Sequence, residues 1–171
     1  MDIVDCILAD HDHQRRMFAA LDMARDDTES LGKIFDRLRN FLEAHAEAEE
    51  LYFYPRLLQC GTGALDSDSA EETTDDAIDD HNKIADAARA AKEHGVGSEA
   101  WWEAVDKANY QNSKHLSEEE RQGLTDFRRH VPLEERIALG VKYLAFESAH
   151  SGHYERADKD PDQYIKENED A

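Results

Sequence analysis

Nowhere in the 171 residues do eighteen apolar residues run together, which excludes a membrane-spanning helix and with it a membrane partner. The opening MDIVDCILADHD carries acids where a secretory leader would carry a basic flank, so the expected location is the cytoplasm. Bases are also scarce. Twenty Lys and Arg against forty Asp and Glu leave a net charge of −20, a field that repels a phosphate backbone and excludes nucleic acid as a partner. Only two cysteines occur, Cys6 and Cys60, in no CxxC pairing, and they are expected to be reduced. No phosphate-binding glycine loop and no Ser-His-Asp order is present, so any chemistry must come from elsewhere.

Three prolines and eight glycines are too few to punctuate a β-rich chain. The apolar residues recur at three and four rather than at two, and the whole chain reads as helix. The length suits one domain, with residues 1–151 as a helical bundle and 152–171 as an acidic C-terminal tail.

The periodicity predicts a first helix from Ile3 to Ala24 and a second from Ser30 to Leu58, bent or ended early by Pro55. Residues 60–73 read as the longest loop. Thr73 or Thr74 is expected to cap a third helix that ends before the GVG at 95–97, and Ser98 to cap a fourth over Glu99 to Arg129. After Val131-Pro132, residues 133–150 form a fifth helix with Ile137, Val141, Leu144 and Ala145 on one side.

Each of the first four helices carries one histidine among apolar or small neighbours: His11, His45, His81 and His115, separated by 34, 36 and 34 residues. In an up-down-up-down bundle such near-equal spacings set all four at one height, where they can meet in the core. His45 and His115 are each followed four residues later by an acid, Glu49 and Glu119, about 40° round the helix and so on the same face. Four imidazoles and two carboxylates suit a pair of first-row metal ions. The imidazoles cap each ion, and a two-oxygen carboxylate bridges them and neutralises charge in the core. A single zinc has no use for six ligands.

The order of one His, then HxxxE, then one His, then HxxxE resembles the hemerythrin-like HHE cation-binding family, of the bacterial non-heme diiron type. The phrases ADHDHQRRMF, HAEAEELYFYP and HLSEEERQGL carry the likeness, over roughly residues 5 to 130. The resemblance implies two iron ions, oxo- or hydroxo-bridged, with His11, His45, His81 and His115 as terminal ligands and Glu49 and Glu119 as bridges. One departure from the oxygen-carrying members stands out. Their third helix supplies HxxxH, whereas Ala77 and Ala85 flank His81 here at four residues. One imidazole is therefore missing, leaving a place for water, substrate or another side chain. Tyr52, about 20° from His45 on the helical wheel, is the better-placed substitute, and Tyr54 points away unless Pro55 distorts the helix.

One buried histidine alone is more often a satisfied core residue than a ligand. Four at matched height, two of them with acids one turn on, reverse that reading. His13 lies about 160° from His11, and His94 and His130 sit at helix ends, where imidazolium is favoured electrostatically. Glu147 and His150 form an ExxH without the second copy that a ferritin-like site needs. Glu47, Glu50, Glu118 and Glu120 read as solvated faces, with Glu50 within reach of a ligand.

The implied function is reaction with peroxide or dioxygen, foremost a catalase-like decomposition of hydrogen peroxide by a diiron oxidoreductase with an outside reductant. Reversible binding or sensing of dioxygen or nitric oxide, and an iron-responsive interaction module, are the alternatives. Manganese and zinc accept the same donors.

Overall fold

Capping chemistry places the helix starts. The Asp2 carboxylate accepts the N–H groups of Val4 and Asp5, and the Asp5 carboxylate accepts that of Asp2, so a reciprocal box opens helix α1, Ile3–Met23. Asp27 caps α2, Thr28–Tyr52, through the Ser30 N–H. A second box, Ser69 with Glu72, starts α4, Ala70–Ala91, earlier than the expected cap at Thr73 or Thr74. Ser98 caps α5, Glu99–Arg121, as its position predicts.

The computed structural model describes residues 1–63 and 69–152, and every regular element there is helical. Three further helices complete it: α3 at Tyr54–Cys60, α6 at Gly123–His130 and α7 at Leu133–His150. Helices α2 and α3 form one arm bent at Phe53, and α5 and α6 form another bent at Gln122. The molecule is thus an up-down-up-down bundle of four arms with a fifth helix laid against α1 and α2. The charged tail expected from 152 onward lies, from 153, outside the described residues, as do positions 64–68 of the expected loop.

Pro55 has no N–H to continue the ladder, so the second arm turns at Phe53 (φ −101°, ψ −63°) and resumes with proline in the first turn of α3. The fourth arm was expected to run unbroken to Arg129, yet it breaks at Gln122 (φ −104°, ψ −79°). The bend has no proline. Gly123 lies under the Phe53 ring, where a Cβ would stand 3.4 Å from it, and the Phe53 and Phe127 rings meet at 4.8 Å. The two bends pack on each other.

Two apolar clusters flank the histidine level. The upper one joins Phe18, Leu21, Leu31, Phe35, Leu38, Trp101 and Val105. The lower one joins Ile3, Ile7, Phe53, Leu57, Leu124, Phe127 and Tyr143. Helix α7 enters the lower cluster by Leu139, Tyr143 and Phe146. Its apolar stripe of Ile137, Val141 and Leu144 stays exposed, as does Leu133. The reason is Gly140, whose missing Cβ lets α7 lie directly on the start of α1: a Cβ there would sit 2.9 Å from the Ile3 nitrogen. That contact turns the Gly140 and Tyr143 face inward and leaves the stripe outside. Cys6 and Cys60 are both free thiols.

Candidate metal centre

Matched height across the four arms brings His11, His45, Glu49, His81, His115 and Glu119 into one buried layer between the two clusters, each at most 7% exposed. Two groups there could hold a metal ion, His11 with His45 and Glu49, and Glu49 with His81 and His115. Glu49 belongs to both. Its Oε1 stands 3.0 Å from His45 Nε2 and 3.8 Å from His11 Nε2, and its Oε2 stands 3.3 Å from His81 Nε2. The two carboxylate oxygens thus face different histidine pairs. Glu119 divides likewise, with Oε2 at 3.1 Å from His11 Nε2 and Oε1 accepting the Tyr54 hydroxyl.

The outward nitrogens are held. Glu120 Oε1 lies 2.9 Å from His11 Nδ1, the Tyr143 hydroxyl 2.7 Å from His45 Nδ1, and Glu50 Oε1 2.8 Å from His81 Nδ1. Tyr143 in turn donates to Asp10 Oδ2 at 2.8 Å. Fixing Nδ1 aims Nε2 inward, the arrangement that orients metal-binding imidazoles. Glu50 and Glu120 therefore serve the layer rather than merely coat a solvated face. Glu120 could have been found from its position beside Glu119; Tyr143 had no signal, because nothing in the sequence says where the fifth helix docks.

The donor atoms fit cations better than they fit one another. Among the described residues His11 Nε2, His45 Nε2, both Glu49 oxygens and Glu119 Oε2 are buried without a hydrogen bond of adequate geometry. Five such atoms converging on one space would be expensive in a finished core, and metal ions would satisfy them all.

Charge in the layer makes the same point. Burial disfavours an imidazolium at His11, but Glu119, Glu120 and Glu49 around it prevail and lift it to about 11. His45 and His81 rise to about 9 against the same burial, drawn by Glu49 with Asp10 and by Glu49 with Glu50. Burial and the neighbouring His81 push His115 down, so it is a neutral imidazole. Glu49 is held low, since His45, His11 and His81 overcome its burial, whereas burial and Glu49 push Glu119 up. Protons on three imidazoles thus stand where cations would neutralise the same carboxylates.

Of the two tyrosines, Tyr54 and not Tyr52 reaches the layer. The wheel argument assumed a continuous helix, and the bend at Phe53 reverses it. Tyr54 is swung inward to Glu119 and its ring lies 6.0 Å from that of His81, beside a small cavity lined by Ala77, Asp80, His115 and Glu119. Tyr52 is half-buried against Phe146. His13 packs edge-on to Phe41, outside the layer, and His94 and His130 stay at helix ends. Glu147 sits beside Asp10, and its burial together with the Asp10 charge raises it to about 8.

The fold and the layer together define a helical bundle whose core carries two histidine–carboxylate groups, sharing one glutamate, that could hold metal ions. The chain matches the hemerythrin HHE cation binding domain over residues 2–142 and belongs to that family. Comparison with curated proteins and with solved structures gives no significant match. Among the described residues no helix is long and apolar enough to cross a membrane.

Proposed function

We propose that the layer holds two iron ions and that the protein decomposes hydrogen peroxide in the cytoplasm. The observation that carries this reading is the shared Glu49, whose two oxygens face separate histidine pairs while finding no hydrogen-bond partner among the described residues. His11 and His45 would hold one ion, His81 and His115 the other, with Glu49 and Glu119 reaching both. An iron pair supplies a two-electron change: one peroxide takes up two electrons and two protons to give two waters, and a second gives up two electrons and two protons as dioxygen.

The residues around the ions set the rest. Tyr54 brings an oxygen donor to the side where Ala77 leaves room, so the second ion is not confined to imidazole and carboxylate. Its hydroxyl proton stays on the phenol in the metal-free protein, because burial and Glu119 push its ionisation well upward. Glu120, Tyr143 and Glu50 keep three imidazoles aimed while protons move. The two clusters exclude bulk water on either side.

Anaerobic loading with ferrous iron, elemental analysis and addition of peroxide test the reading. Two ions per chain and oxygen evolution sustained well beyond that of equal free iron are expected. Two bound ions without such turnover would remove the catalase-like activity, and no bound metal would remove the centre itself. A second reading, reversible binding of dioxygen or nitric oxide, is favoured by the mainly apolar lining of a cavity against His45, His81 and His115, which includes Leu42, Ile84, Ala85 and Ala88. It requires an absorption band that comes and goes as air and vacuum alternate.

A further inference from the structure

One helical turn beyond the histidines, toward the α1–α2 connection, the bundle has a layer that its register defines. Gln14 follows His11 by three residues, Leu42 precedes His45 by three, Ile84 follows His81 by three and Asn112 precedes His115 by three. Because neighbouring arms run antiparallel, these four positions share one height. Two are aliphatic, as a core layer requires. The other two are primary amides with no evident structural task. Gln14 is wholly buried, and among the described residues neither its amide nitrogen nor its oxygen has a partner. Asn112 is 3% exposed, and among the described residues its side chain makes no hydrogen bond. It lines a cavity of about 30 Å³ together with Leu42, Ile84, His45, His81 and His115, and the charged members of the lining, Arg39 and Glu43, are paired with each other at 3.0 Å.

Buried amides left without partners are costly, and a leucine at either position would fill the layer without that cost. The cavity is sized for a molecule of two heavy atoms, since a single water needs about 10–15 Å³ of such space. An amide offers an N–H to donate and a carbonyl to accept. Hydrogen peroxide can use both, whereas dioxygen donates nothing and accepts weakly.

We propose that Asn112 is the specificity-determining residue of the centre: it hydrogen-bonds a peroxide-sized ligand in the cavity above His45, His81 and His115, and so selects hydrogen peroxide over dioxygen and over bulkier hydroperoxides. The inference rests on the reading of the layer as a metal centre. It differs from that reading in what it forbids: an alkyl hydroperoxide has no room beside Ile84 and Leu42, and an apolar residue at 112 removes the preference.

The test uses iron-loaded full-length protein with azide, a small anion that accepts an N–H bond, as the probe. Asn112→Leu fills the space without a donor, and Asn112→Ala leaves the space without a donor. Both are expected to bind two ions per chain and to bind azide about tenfold more weakly than the wild type, the worth of one hydrogen bond. The KM for hydrogen peroxide is expected to rise by a similar factor with little change in kcat. The metal-free Asn112→Leu protein is expected to melt no lower than the wild type, because no internal bond is lost. Loss of azide affinity in the leucine variant alone shows a steric effect and overturns the proposal. So does a lowered melting midpoint of the metal-free leucine variant, or turnover of tert-butyl hydroperoxide by the wild type at the rate of hydrogen peroxide. A wild-type protein that takes up no metal defeats the metal centre instead, and one that takes up metal but binds azide identically in all three forms defeats only the role of Asn112.

Discussion

The two halves of the bundle on either side of the histidine layer are built differently. Above it, four uninterrupted helices interlock through Leu21, Leu31, Leu38, Ile84, Ala88, Trp101 and Val105, residues at the ordinary three-and-four spacing. Below it, two helices bend, a fifth lies across a glycine, and the cluster gathers Phe53, Tyr54, Phe127 and Tyr143. The upper half supports the layer; the lower half also reaches into it, since Tyr54 and Tyr143 are both lower-cluster residues that hydrogen-bond to members of the layer. Regular packing suffices to set four histidines at one height. Bringing further oxygen atoms to them requires departures from it.

The largest effect that sharpens the contrast is at Glu49. Glu49→Ala removes the residue both groups share, and loss of both ions is expected by elemental analysis, whereas Leu38→Ala in the upper cluster is expected to lower stability by about 2–5 kcal/mol while metal uptake persists. Retention of two ions by Glu49→Ala would dissolve the distinction. Next comes the pair of tyrosines on either side of the bend. Tyr54→Phe is expected to weaken the second ion and change the optical spectrum of the loaded protein, and Tyr52→Phe to leave both as they were, because only Tyr54 meets Glu119. Equal spectra for the two variants would remove Tyr54 from the metal environment. Tyr143→Phe follows, with metal affinity falling about 10–100-fold as the His45 orienting contact is lost; an unchanged affinity in equilibrium competition with a chelator would make the fifth helix a mere cover.

That contrast also explains what could be read from the sequence. Helix content, the level of His11, His45, His81 and His115, and the i+4 placement of Glu49 and Glu119 all follow from one period along straight helices, so linear spacing carried them. The bend at Phe53 was signalled by Pro55, but its consequence was not: the wheel favoured Tyr52, and a small change in backbone angles at one residue turned Tyr54 inward instead. The break at Gln122 had no proline to mark it. Helix α7 is visible as a helix, but the face it docks is not legible, because a glycine that permits close approach counts for nothing in a hydrophobic pattern while Ile137 and Val141 count for much. Glu120 was assigned to solvent because acids in a run usually are; a third-dimension partner, His11, decides otherwise.

The smallest effect concerns pH, and its sign separates the metal-free layer from the loaded one. In the metal-free protein burial opposes charge at His45 and His81, yet Glu49 and its neighbours raise both from 6.5 to about 9. A base whose pKa is higher folded than unfolded binds its proton more tightly in the fold, so its contribution to stability is complete below about pH 6.5 and disappears as pH rises through 9. The metal-free melting midpoint is therefore expected to fall between pH 7 and pH 9, and His11, raised to about 11, adds to the fall because the fold keeps its proton where the unfolded chain has lost it. Metal ligation requires those nitrogens to be proton-free, so the loaded protein has no such protons to lose and its midpoint is expected to stay level over the same range. Glu49→Gln adds the internal check, since removing the carboxylate charge that both imidazoles answer to should make the metal-free curve fall less steeply, leaving the share that His11 owes to Glu119 and Glu120. A metal-free midpoint that rises across this range would mean that the imidazoles are neutral from the outset, and that the buried carboxylates are balanced by something other than the protons on His45 and His81.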